Sequence, residues 1–151
     1  MLSAKEYLEM LKDYEQAAAD LYDALADVSW FKKAVWKNLS AEGDSRIEKI
    51  NKLIASSEND KNLITLKSFV GTEAVETKNF VLNILNLLDA GKISKREAVR
   101  RIADIENNVV ESDLYGKLHS DNLDACEIIE ALRKGIRGKI SILNIEKKKW
   151  F

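Results

Sequence analysis

Two glutamates fall inside apolar helical stripes, where an acidic side chain needs a reason. Leu8, Leu11, Glu15, Ala18, Tyr22 and Leu25 recur at alternating spacings of three and four, which puts them on one face of a helix. Val99, Ile102, Ile105, Glu106 and Val109 mark the inner side of another. Carboxylates gathered in a low-dielectric interior cannot stay ionised without compensation. They protonate, share a cation or pair with basic side chains.

Other residues capable of chemistry read more blandly. His119 is the only histidine, and Ser120 and Asp121 follow it. A hydroxyl and a carboxylate beside an imidazole evoke a triad, but adjacent residues do not converge on one site. His119 reads as an exposed or capping side chain. Cys126 is the only cysteine. It excludes an internal disulfide and reads as a small core residue rather than a nucleophile. Trp30 and Trp36 read as core or interface packing. No zinc-type cysteine spacing and no phosphate-cradling glycine loop is present.

Composition bounds the fold that must position these groups. The 151 residues are expected to form one domain, 1–151, around a single core. No proline and only six glycines occur, which favours long unbroken helices. Lys+Arg is 24 against Asp+Glu 25, so the excess basic charge of a nucleic-acid binder is missing. Charged residues interrupt any apolar stretch near the start, and no run approaches the ~20 residues needed to span a bilayer. These features predict a cytoplasmic protein without a membrane anchor. Lys147, Lys148, Lys149, Trp150 and Phe151 form a basic-aromatic end, either a contact for a membrane surface or partner, or a last helical turn opposing the helix dipole.

The pattern predicts helices only. The first starts at Ser3, with Glu6 completing a capping box, and ends near Asp27. The second runs from Ser29 to about Ser56, with Gly43 in its middle. Residues 56–60 read as the clearest loop. Residues 62–70 cross over the bundle, using Leu63, Ile64, Leu66 and Phe69. A further helix spans residues 73–90 with Gly91 as its C-terminal cap. Its apolar face runs from Phe80 through Val81, Ile84, Leu85, Leu87 and Leu88. Ser94 and Glu97 form a second capping box opening a helix toward Leu118. The last helix starts near Ser120 or Asp121, with Leu123, Ile129, Leu132, Ile136, Ile140 and Leu143 inward. Leu21-Tyr22-x-x-Leu25 is echoed by Leu114-Tyr115-x-x-Leu118.

The segment Tyr14 to Leu25, followed by Trp36, Leu39 and Glu42, resembles the first two helices of a carboxylate-bridged di-iron bundle. The stretch Ala98 to Glu106 is similar to the entry of the third bundle helix, where a glutamate ligates iron. From Tyr14 to Leu143 the chain resembles the rubrerythrin-type branch of the ferritin-like superfamily. The resemblance implies an all-α, ferritin-like four-helix bundle with an extra helix in the crossover between the second and third bundle helices. It also implies a homodimer.

Carried over residue by residue, Glu15 matches the first-helix glutamate and Glu106 the third-helix one. Glu42 matches the glutamate of the second-helix Glu-x-x-His, with Ser45 in place of the histidine. In the turn Ala131 to Ile140, Ile136 stands where a glutamate is expected and Lys139 where a histidine is expected. Such bundles normally take two histidines, one from each Glu-x-x-His turn. Here neither position holds one.

The resemblance therefore implies a fold and argues against its usual chemistry. Lys139, with Arg46 one turn beyond Glu42, is expected to balance the residual glutamates in place of a metal pair. Against this stands a simpler reading, in which Glu42 and Arg46 form a surface pair at i and i+4 and the other charges snorkel at a stripe's edge. The resulting expectation is a scaffold or interaction module with a degraded di-iron site, no catalytic residue and no cofactor, working through self-association or an unidentified protein partner. The alternative is a metal-dependent oxidoreductase handling oxygen or peroxide with an altered carboxylate set, Glu15, Glu42 and Glu106 holding iron or manganese. Magnesium, which accepts oxygen ligands alone, also fits three carboxylates.

Overall fold

The computed structural model describes residues 2–30, 32–67 and 71–149. Its elements are five helices: α1 (Ala4–Asp27), α2 (Lys33–Asn59), α3 (Glu73–Asp89), α4 (Lys95–Ser112) and α5 (Leu123–Lys148). Two short strands, β1 (Thr65–Leu66) and β2 (Leu118–His119), pair antiparallel. A 3-10 turn at Tyr115–Lys117 precedes β2.

Local chemistry sets most helix ends. The Ser3 hydroxyl accepts from the Glu6 amide and the Glu6 carboxylate accepts from the Ser3 amide, a closed capping box. Ser94 caps α4 by accepting from the Glu97 amide, while the Glu97 carboxylate takes Arg100 and Arg101. The expected second capping box is therefore formed only on its Ser94 side. Gly91 adopts φ +70°, and the amides of Gly91 and Lys92 reach back to Leu88 and Leu87, closing the end of α3.

Several expected boundaries move. Helix α2 begins at Lys33 after Lys32 in a left-handed conformation, not at Ser29, whose hydroxyl instead donates to the Leu25 carbonyl. It continues through the polar run Ser56 to Asn59, which had read as loop, because the buried stripe of Ile50, Leu53 and Ile54 carries on to Ser57, which is itself buried. Helix α5 starts at Leu123, capped by Asn122. Leu123 itself is 72% exposed, so it does not join the inner stripe. Phe80 is also exposed, and Val81, Ile84 and Leu88 form the buried face of α3. The strand pair was not expected. It clips the crossover to the α4–α5 connection, and the Lys67 amide donates a further hydrogen bond to the Lys117 carbonyl. Ile64 is buried in that crossover; Phe69 lies outside the described residues.

Cross-helix partners give the helix directions. Lys5 pairs with Glu58 and Asp23 with Lys37, so α1 and α2 are antiparallel. Asp104 pairs with Lys147 and Asn107 with Asn144, so α4 and α5 are antiparallel. The Tyr7 hydroxyl donates to the Leu114 carbonyl and Tyr14 to Glu106, which sets α4 antiparallel to α1. Hence α2 and α4 run the same way, and residues 60–94 carry the chain back along the bundle. Helix α3 packs on both α1 and α4. Among the described residues no helix is long and apolar enough to cross a membrane.

Candidate functional site

Periodicity decides which charges enter the core. On α2, Leu39, Gly43, Arg46 and Ile50 are buried at spacings of four, three and four. That stripe faces α1 and α5. Glu42 and Ser45 are each one residue off it, about 100° around the helix, and both are exposed. The expectation that Glu42 points into the core is therefore corrected. Arg46 does not pair with Glu42 on the surface. Its side chain is 5% exposed and its Nε donates to Glu15 Oε2.

Glu15, Glu106 and Lys139 have no exposed side-chain surface. Lys139 Nζ lies 3.0 Å from Glu106 Oε2 and 3.6 Å from Glu15 Oε1. It also donates to the Tyr14 hydroxyl at 3.2 Å and sits 5.3 and 5.5 Å from the ring centroids of Tyr14 and Tyr22. Tyr14 donates to Glu106 Oε2, and Tyr22 donates to Glu106 Oε1 at 3.4 Å. Two carboxylates thus face one ammonium and one guanidinium. Ile136, at the aligned glutamate position, is buried and apolar.

The surrounding electrostatics keep the phenols protonated. Burial, then the charges of Glu106 and Glu15, holds Tyr14 well above the ordinary phenol value. Tyr22 is raised by burial and Glu106, against a lowering pull from Arg46. Burial and Glu15 raise Tyr115. Burial is the largest single influence on Arg46 and opposes its charge, but the charge and hydrogen bond of Glu15 together with the neighbouring tyrosines overcome it, and the guanidinium holds its proton more tightly than in water. Neutral phenols can donate to the carboxylates, so the hydroxyls solvate charge that water cannot reach.

The tyrosines are the part that sequence reasoning missed. Tyr22 read only as a stripe residue and Tyr115 only as half of an echo. A usable signal existed: Tyr22 lies seven residues beyond Glu15, two helical turns along one face. Trp36 is buried and stacks on Tyr22 at 6.3 Å. Trp30 is 91% exposed, so core packing does not account for it. His119 is half-exposed on β2 and meets Asp121 at 3.3 Å. Cys126 is only partly buried and donates to the Ser120 carbonyl.

The donor set does not suit a di-metal centre. Among the described residues no group of three or more His, Cys, Asp or Glu side chains could hold a metal ion. The space between Glu15 and Glu106 is taken by the Lys139 ammonium. An iron or manganese ion there would have to displace that ammonium and would find two carboxylates and no imidazole. The chain matches no protein-family model, no curated protein and no solved structure.

Proposed function

We propose that this chain is a ferritin-like bundle of the rubrerythrin type whose di-iron centre has been replaced by an internal Glu–Lys/Arg network, leaving a non-catalytic scaffold that works by self-association or by binding a protein partner. One observation carries the reading: Lys139, aligned with a ligand histidine, is wholly buried with its Nζ 3.0 Å from Glu106. Lysine is almost never fully buried unless paired, so an ammonium in the core marks a site where charge had to be balanced. Two further features support it. Helices α2 and α4 run parallel, joined by a single long crossover, as in ferritin-like bundles. Glu15 and Glu106 converge on the Lys139 ammonium from helices whose sequences carry the resemblance.

In this reading the network is structural. Four charges sum to zero in the interior, and the hydroxyls of Tyr14 and Tyr22 donate to Glu106 in place of water. What the fold retains is a rigid surface, and the implied assembly is a homodimer in the cytoplasm. Iron-dependent consumption of oxygen and peroxide tests the reading. Protein supplied with ferrous iron is expected to turn over no faster than iron in buffer. Saturable turnover that rises with protein concentration would establish the metal-dependent oxidoreductase instead.

A further inference from the structure

Helices α2 and α4 start at the end of the bundle where α5 finishes. Lys95, the first residue of α4, holds its Nζ 6.0 Å from the ring centroid of Trp36, in the first turn of α2. Lys32 lies beside Lys149, and this neighbouring cation is the main cause that holds the Lys32 ammonium below its ordinary value. Residues 27–33, 89–96 and 145–149 together carry eight lysines and arginines against three carboxylates, in a chain of net charge −1.

Helix stability does not account for these cations. Lys147, Lys148 and Lys149 suit the C-terminal end of α5, but a helix N-terminus disfavours positive charge. Helix α2 nevertheless opens on Lys32 and Lys33, and α4 on Lys95 and Arg96. Lys32 occupies the N-cap position without a side-chain cap bond, at φ 61°, a conformation that glycine adopts at less cost. The first turn of α2 contains no acidic residue. Of the three carboxylates, Glu146 accepts from Lys149, and Asp27 and Asp89 are exposed. The crowded cations call for an anion from outside the chain.

Apolar side chains stand exposed among them. Trp30 is 91% exposed and Val28 53%, on the connection that leads into Lys32, and Ile145 is 54% exposed one turn before Lys149. An indole flanked by lysines suits the headgroup layer of a bilayer, which takes its apolar ring and its N–H together while negative headgroups meet the ammonium groups. A single-stranded nucleic acid offers the charge but binds along successive stacking aromatics, and Val28 and Ile145 give its bases no platform. Trp150 and Phe151 lie outside the described residues.

We infer that this end of the bundle is a docking surface for an anionic phospholipid bilayer, with Trp30 entering the headgroup layer and the cations of α2, α4 and α5 lying against the negative headgroups. The contact is peripheral, since no described helix is long and apolar enough to cross. The inference does not rest on the family reading: iron in the core would overturn that reading and leave this one standing.

Sedimentation of the full chain with vesicles of phosphatidylcholine and phosphatidylserine, beside vesicles of phosphatidylcholine alone, tests it. The chain is expected to sediment with the mixed vesicles only, and added salt is expected to release it. Lys32→Glu with Lys33→Glu is expected to weaken the partition by at least about tenfold. The thermal midpoint should not fall, because acidic residues suit the start of α2. Lys52→Glu with Lys61→Glu, at exposed positions toward the opposite end, is expected to bind as the parent chain does. If the first variant does not fold, Trp30→Ser alters a side chain outside the core and is expected to weaken the partition as well. No sedimentation with the mixed vesicles, equal partition into both kinds, or unchanged partition in the folded variant would overturn the assignment. Tighter binding to oligothymidylate than to the mixed vesicles would overturn it in favour of a nucleic acid.

Discussion

Lys139 Nζ and Glu106 Oε2 stand 3.0 Å apart with neither side chain exposed to solvent. A buried pair of this kind adds little net stability, because each ion loses its hydration on folding. Breaking it is costly, because one charge is then left alone in the interior. Lys139→Met is expected to destabilise the fold by about 3–5 kcal/mol, since Glu15 and Glu106 would face Arg46 alone. Adding Glu106→Gln should recover part of that loss. Urea unfolding of the two single variants and the double variant reads the coupling; strict additivity would show that the pair does not interact.

All four tyrosines are buried, and each is held above its ordinary value, by burial first. In the unfolded chain they ionise near pH 10, while in the folded chain they remain protonated beyond it. The folded state then binds more protons, so stability is unaffected below pH 10 and falls as pH rises above it. Each tyrosine contributes about 1.4 kcal/mol per pH unit in that window. Tyrosinate absorbance is expected to appear in one cooperative step together with loss of helical circular dichroism. A reversible titration near pH 10 in the folded protein would contradict the burial.

Gly43 faces α1, where an added Cβ would meet the Ala19 Cβ at 3.5 Å and Arg46 Nη2 at 3.9 Å. Both are ordinary contacts. Gly43→Ala should therefore raise stability by about 0.5–1 kcal/mol through the entropy of the unfolded chain. Gly43→Leu should lower it by pushing on Arg46. A loss of stability in the alanine variant, read by thermal unfolding, would mean that α1 and α2 approach more closely than described.

The Glu97 carboxylate accepts from Arg100 and Arg101, and these bonds lower its pKa to about 2. Its contribution to α4 is complete above the ordinary carboxylate range and is lost as pH falls through about 2. Carbon-detected NMR of the side chain should locate that titration. In the double variant Arg100→Ala, Arg101→Ala the midpoint should return toward 4.5; no movement would assign the shift to another cause.

The helices were legible because apolar residues repeat at helical spacing and Ser3, Ser94 and Gly91 carry end signals. Glu15 and Glu106 were legible as core carboxylates because each interrupts such a repeat. Glu42 was not, because a family alignment fixes a sequence position but not the rotation of α2, and Arg46 rather than Glu42 lies on the buried stripe. The β1–β2 pair was invisible for a different reason. Two residues per strand leave no alternation to detect, and pairing across more than fifty residues is a tertiary event. The tyrosines' donor role also escaped, since an apolar stripe admits a phenol without saying what its hydroxyl meets.

The central claim is that the Lys139 ammonium, and not a metal pair, occupies the space between Glu15 and Glu106 in the proposed ferritin-like bundle. Elemental analysis of protein purified without chelator, after incubation with excess ferrous iron and removal of the unbound metal, tests it most directly. The expected result is iron well below one ion per chain, unchanged in Glu15→Gln. A stoichiometric metal load that is lost in Glu15→Gln would contradict the account.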